Sequence, residues 1–127
     1  MKILFLVIVL LVCSCGSKND NIAPMNNTAI ITYTLKSDNS NTTAVVRHHI
    51  KDNLVIDYIY TVKSELTVKD TIPLNFRSYV KMETSNKPIG NFEIIISDGE
   101  KVLIDKKEFS IDDSGKYYIE LKDTLLF

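Results

Sequence analysis

Tryptophan is missing from this 127-residue chain, and cysteine nearly so: the two present, Cys13 and Cys15, stand together near the amino terminus. A multi-bridge disulfide framework and a four-cysteine zinc site are both excluded on that count. Histidine is limited to the neighbours His48 and His49. Adjacent residues on a strand point to opposite faces, so the two cannot share one metal ion without a bulge. A nucleophile elbow of the Gly-x-Ser-x-Gly kind does not occur, which removes the commonest serine hydrolase arrangement. Formal net charge is -1, with no block of five like charges, so nucleic acid is not an expected partner. No apolar run approaches the roughly 20 residues of a membrane-spanning helix. The chain is long enough for one domain with one core.

What is present begins with Met1, Lys2 and the unbroken apolar stretch Ile3 to Val12, followed by small residues. That is the layout of a secretory signal peptide. As helix it would span roughly 15 Å, about half of the hydrocarbon core. Val12, Cys13 and Ser14 ahead of Cys15 resemble the lipobox of bacterial lipoproteins. A cut before Cys13 would instead place bulky Val12 in the small-residue slot. The resemblance implies removal of residues 1–14 and acylation of Cys15, with two or more acyl chains needed for stable anchoring. The alternative, a disulfide between Cys13 and Cys15 in an ordinary secreted protein, closes a strained ring inside the processed region. Residues 15–28 then form the lipidated cysteine and a polar tether carrying Pro24, with a root-mean-square span of about 20 Å.

From Ala29 the pattern turns to period two. "IITYTL" alternates Ile31, Tyr33 and Leu35 with threonines, a strand signature. "KSDNSN" at 36–41 is expected as a turn and "TTAVVRHHI" as a second strand, with "KDN" at 51–53 closing a hairpin. "LVIDYIYTV" has a long apolar face of Leu54, Ile56, Tyr58, Tyr60 and Val62, and is expected as a central strand. Pro73 limits the following segment to an edge strand or bend. "FRSYVKMET" places Phe76, Ser78, Val80 and Met82 on one face. "FEIIIS" and "KVLIDKKEFS" flank Asp98 and Gly99, the strongest local hairpin signal. After "DDSG" at 112–115, Tyr117, Ile119 and Leu121 alternate along the last strand. About seven strands without helical periodicity or a sequence repeat predict an all-β fold. It is a single antiparallel β-sandwich over residues 29–127, immunoglobulin-like in architecture only.

The candidates for chemistry are few. A half-buried His48 and an exposed His49 are expected, with no metal site. Asp98 with Glu100, and Asp112 with Asp113, fall in turns, where aspartate bonds nearby amides; neither has the spacing of an EF-hand calcium loop. Tyr58, Tyr60, Tyr117 and Tyr118 could form a binding face or belong to core and ordinary strand surface. No catalytic residue, cofactor or metal is expected. The tripeptides at 70–72 and 123–125 resemble acceptors for O-glycosylation in Bacteroidota-type bacteria.

Taken together, "ITYTLKSD" at 31–38, "TAVV" at 43–46, "TIPLNF" at 71–76 and "ISDGEKVL" at 96–103 are similar in order and spacing to the MmpS-type transport accessory proteins and their lipoprotein relatives. The bend departs from that pattern, reading Ile72, Pro73, Leu74, Asn75, Phe76 with no tryptophan. The short leader and mature composition also look like those of small lipoproteins of Bacteroidota-type bacteria. These resemblances imply a non-enzymatic lipoprotein of the bacterial cell envelope. Cys15 would anchor it to a membrane, the outer rather than the inner, beside a larger envelope protein partner. Two alternatives stay open on sequence alone: a β-sandwich that binds a glycan or lipid, and an envelope inhibitor or immunity protein.

Overall fold

The computed structural model describes residues 27–127. The expected signal peptide, Cys15 and nearly all of the tether lie outside the described residues. Seven antiparallel strands follow: β1 (Thr28–Lys51), β2 (Leu54–Pro73), β3 (Arg77–Thr84), β4 (Phe92–Asp98), β5 (Lys101–Lys106), β6 (Ser110–Ile111) and β7 (Tyr117–Leu125). The fold is an all-β sandwich, as the alternating pattern predicts.

β1 belongs to both layers. Its first half, Ile31 to Ser37, pairs with β4, which pairs with β5. Its second half, Thr43 to Val46, pairs with β3, which leads to β7 and β6. β2 runs along the other side of both halves. The two layers are therefore the two halves of one bent hairpin, each extended by further strands. Lys106 on β5 reaches the Glu120 carbonyl of β7 at 3.2 Å, linking the layers on the side away from β2.

The bend corrects one expectation. Residues 36–41 do not end a strand: Lys36 and Ser37 stay paired with β2, and residues 38–41 are a bulge inside β1. Ser37 lies opposite Ser64 and Thr42 opposite Val62, so four residues of β1 face the single Lys63. The inserted residues shift the alternation: Ile31, Tyr33, Leu35 and Ser37 are buried before the bulge, and Thr42, Ala44 and Val46 after it. At the crease the Ser37 and Thr42 hydroxyls share a hydrogen bond of 2.7 Å.

Distant partners explain why turn-forming residues bulge here. The Asp38 carboxylate accepts the Asn91 amide N–H at 2.7 Å. Asn39 Nδ2 donates to the Asn86 and Lys87 carbonyls, and Asn39 Oδ1 accepts the Ile89 amide. The side chains that would cap a local turn instead hold the loop between β3 and β4.

The core draws on both halves. Tyr33, Leu35, Val46, Ile72, Val80, Met82, Ile94, Ile96 and Ile119 are all essentially inaccessible. Each such aliphatic side chain contributes about 1.5–3 kcal/mol by leaving water. The hairpin expected at Asp98 and Gly99 is present: Asp98 pairs with Lys101, and Gly99, at φ 53°, takes the first loop position. A positive φ at that position and none at Glu100 is the pattern of a type II′ turn, which favours glycine first.

Candidate functional site

A second correction concerns residues 54–62. They form no central strand: among the described residues β2 pairs only with β1, so none of them covers its outer backbone edge. A one-sided apolar pattern does not report how many neighbours the strand has, and of this face only Val62 is buried. This edge, with the tip of the hairpin, is the most distinctive surface of the described residues.

The two halves of β2 differ in chemistry. The second half carries Lys63, Glu65, Lys69 and Asp70, a left-handed Ser64 at φ 68°, and Pro73 at its end. Charge, local twist and proline are the usual protections of an edge strand. The first half, "LVIDYIYTV", has Asp57 as its sole charge. That carboxylate is engaged by Arg47 on β1, Nε to Oδ1 at 2.9 Å. Leu54, Val55, Ile56, Tyr58 and Ile59 are exposed, Ile59 at 77% and Leu54 at 57%. Ile50, at the end of β1, adds to the same tip.

Beneath the tip lies a polar cluster between the layers. His48 stands on the second half of β1, and Asp70 on the second half of β2, in the other layer. His48 Nδ1 lies 3.7 Å from Asp70 Oδ2, and its Nε2 is hydrogen-bonded to the Tyr60 hydroxyl at 2.9 Å. The edge of His48 meets Tyr58, with ring centres 5.1 Å apart. Asp70 Oδ2 also accepts the backbone N–H of His49 at 3.0 Å. Asp70, His48 and Tyr60 thus form a chain of polar contacts from one layer to the other. Burial first, then the Tyr58 and Asp70 charges, raises the Tyr60 phenol above its ordinary range. The arrangement joins strands.

The two histidines part as strand geometry requires. His49 Nε2 is within 2.7 Å of the Asp52 carbonyl, and its ring meets the edge of Phe76. Among the described residues no group of three His, Cys, Asp or Glu side chains could hold a metal ion. Asp112 serves its turn, accepting the Ser114 and Lys116 amides and the Ser114 hydroxyl. Of the four tyrosines considered, Tyr58 and Tyr60 come together at the hairpin, whereas Tyr117 and Tyr118 lie on β7. Tyr117 packs against Phe109, and Tyr118 carries Lys81 over its ring.

Asp70 is a site residue that the motifs mark only as the start of the tripeptide at 70–72, not as a partner of His48. Its signal is nonetheless in the pattern: Leu66, Val68, Asp70 and Ile72 share one face, so a carboxylate occupies an inward position of an edge strand. Charges so placed need a partner.

Among the described residues no helix is long and apolar enough to cross a membrane. Compared with known proteins, the chain matches no protein-family model, no curated protein and no solved structure.

Proposed function

We propose that this protein is a lipid-anchored component of a bacterial cell envelope. Its β-sandwich would act as a non-catalytic protein-interaction module, presented on a tether from Cys15. The observation that carries the reading is the unprotected first half of β2, whose backbone edge is unpaired among the described residues and whose apolar side chains are exposed. Extended segments of other chains add to such edges through main-chain hydrogen bonds. The lipobox-like segment ending at Cys15 supports the anchor. The likeness in order and spacing to MmpS-type accessory proteins favours an envelope protein as the object of the interaction.

Two measurements test this. Intact mass and membrane partition of the full chain are compared with those of Cys15→Ala. Wild type is expected to lose residues 1–14, gain acyl mass and sediment with membrane, and the variant to do neither. Envelopes holding the full chain, with a photo-reactive residue at Ile59, should yield a saturable protein adduct. Soluble, unacylated wild type would overturn the anchor, and failure to form any protein adduct would overturn the interaction role.

A further inference from the structure

Resting on the anchor in that reading, we infer that the tip of the β1–β2 hairpin, with the cleft beside it, is a seat for the anionic surface of the bilayer that holds Cys15. The place where the chain enters the domain carries this. The Asn27 carbonyl accepts the Leu74 amide at 3.0 Å. Thr28 and Ile30 line one cleft with His49, Ile50 and Lys69, so the segment that leads to Cys15 joins the domain beside the tip. Twelve residues take the chain from Cys15 to Asn27, about 40 Å at full extension. An acylated Cys15 therefore keeps a bilayer within reach of this end. A contact too weak to hold a free protein there becomes intramolecular.

The chemistry of the tip fits such a surface. The ladder between β1 and β3 stops at Val46, so residues 47–51 and 54–57 continue past it as a two-stranded ribbon. Leu54 and Ile56 lie on one face of the ribbon and Val55 on the other, and all three are exposed. Ile30, at 64%, and Ile50, at 47%, are exposed at the cleft, and Leu74 is exposed beside Asn27. A rigid partner covers one face of a ribbon, whereas a fluid surface fits apolar groups on both faces and at the cleft together. Lys51 and Lys69 are exposed among these groups. Lysines with stems on apolar surface reach the phosphates of anionic lipid. Asp52 is the opposing charge, and with Asn53 it makes the turn. A charged turn does not enter hydrocarbon, so the ribbon rests at an angle, its apolar side chains at the headgroup–acyl boundary and its turn among the headgroups. Ile59 lies three positions beyond Ile56, about 10 Å along the strand, and is left to the envelope protein.

The test uses the full chain, extracted in detergent and reconstituted in vesicles of phosphatidylethanolamine and phosphatidylglycerol. With residues 1–14 removed and the Cys15 sulfur acylated, an introduced cysteine is the one free thiol, and it carries a polarity-sensitive fluorophore. At Leu54→Cys and Ile50→Cys the emission is expected to shift to the blue and to be quenched by nitroxide-labelled lipid. At Ser114→Cys, in the turn before β7, it should do neither. Replacing phosphatidylglycerol with phosphatidylcholine, or combining Lys51→Glu with Lys69→Glu, should lower the ratio of seated to free tips by about tenfold or more. The change of lipid needs no further substitution, so that arm does not depend on how the lysine variants fold. Acylated, membrane-bound protein whose Leu54 probe stays in water would overturn the seat and leave the anchor standing. Equal quenching at Ser114, or seating indifferent to lipid charge, would overturn it too. In native envelopes a photo-reactive residue at Leu54 should label lipid, and a saturable protein adduct there in its place would give the tip to a protein and overturn the seat. Soluble, unacylated wild type would overturn the seat together with the anchor.

Discussion

His48 and Asp70 face each other from the two layers, Nδ1 to Oδ2 at 3.7 Å, each with about a tenth of its side chain in solvent. The same carboxylate oxygen takes the His49 amide, so one inward acid joins the far end of β1 to the far end of β2. This holds the bent hairpin closed beneath the outer edge of β2.

Asp70→Ala is expected to lower stability by about 1–3 kcal/mol, because a part-buried amide and an imidazole each lose their partner. Asp70→Asn keeps an acceptor for the amide and should lose less. Urea unfolding at neutral pH measures both. Equal losses for the two variants would contradict the role given to the amide contact.

Gly90 has φ 74°, and the Asp38 carboxylate lies where a Cβ would stand. Gly90→Ala should therefore cost about 2 kcal/mol or more, combining a left-handed backbone with displacement of the group that holds the bulge. Thermal unfolding of wild type and variant would check this, and an unchanged midpoint would refute it.

Ser64 adopts the left-handed region at the crease of β2. A β-branched side chain is strained there, whereas glycine is not. Ser64→Val is expected to destabilise by about 1–3 kcal/mol, and Ser64→Gly to be neutral or mildly stabilising. If valine were tolerated as well as glycine in denaturant titration, the backbone account of the bulge would fail.

Glu83 is held below the ordinary glutamate range, first by its hydrogen bond with Lys81, with Lys116 also lowering it against a modest burial cost. Its contacts are 3.0 Å to Lys81 and 3.2 Å to Lys116. The folded-state value lies below the unfolded one, so the stabilisation is present above the unfolded value and lost as pH falls through the folded one. Glu83→Gln should differ from wild type at pH 7 by no more than about 1 kcal/mol, given the exposure of the group. The difference should vanish in acid. A difference that grew on acidification would have the wrong sign.

Much of the fold was legible in the sequence. Alternation along 31–35, 76–82 and 117–121 marks the inward faces of β1, β3 and β7, because strand side chains point to alternate faces. Gly99 marks the tight hairpin, since its loop position has a positive φ that favours glycine. His48 and His49 part for the reason their adjacency suggests.

Tertiary structure alone decided the rest. The stretch "KSDNSN" has the composition of a turn, and its conversion to a bulge depends on the loop at 86–91, some fifty positions away, which takes up the Asp38 and Asn39 side chains. Whether "LVIDYIYTV" lies inside a sheet or at its margin depends on where other strands end, and an apolar face cannot record that. Asp70 meets His48 only because the hairpin folds back on itself. Periodicity is a property of neighbours in the chain; edges, creases and cross-layer pairs are properties of strands that meet from far apart.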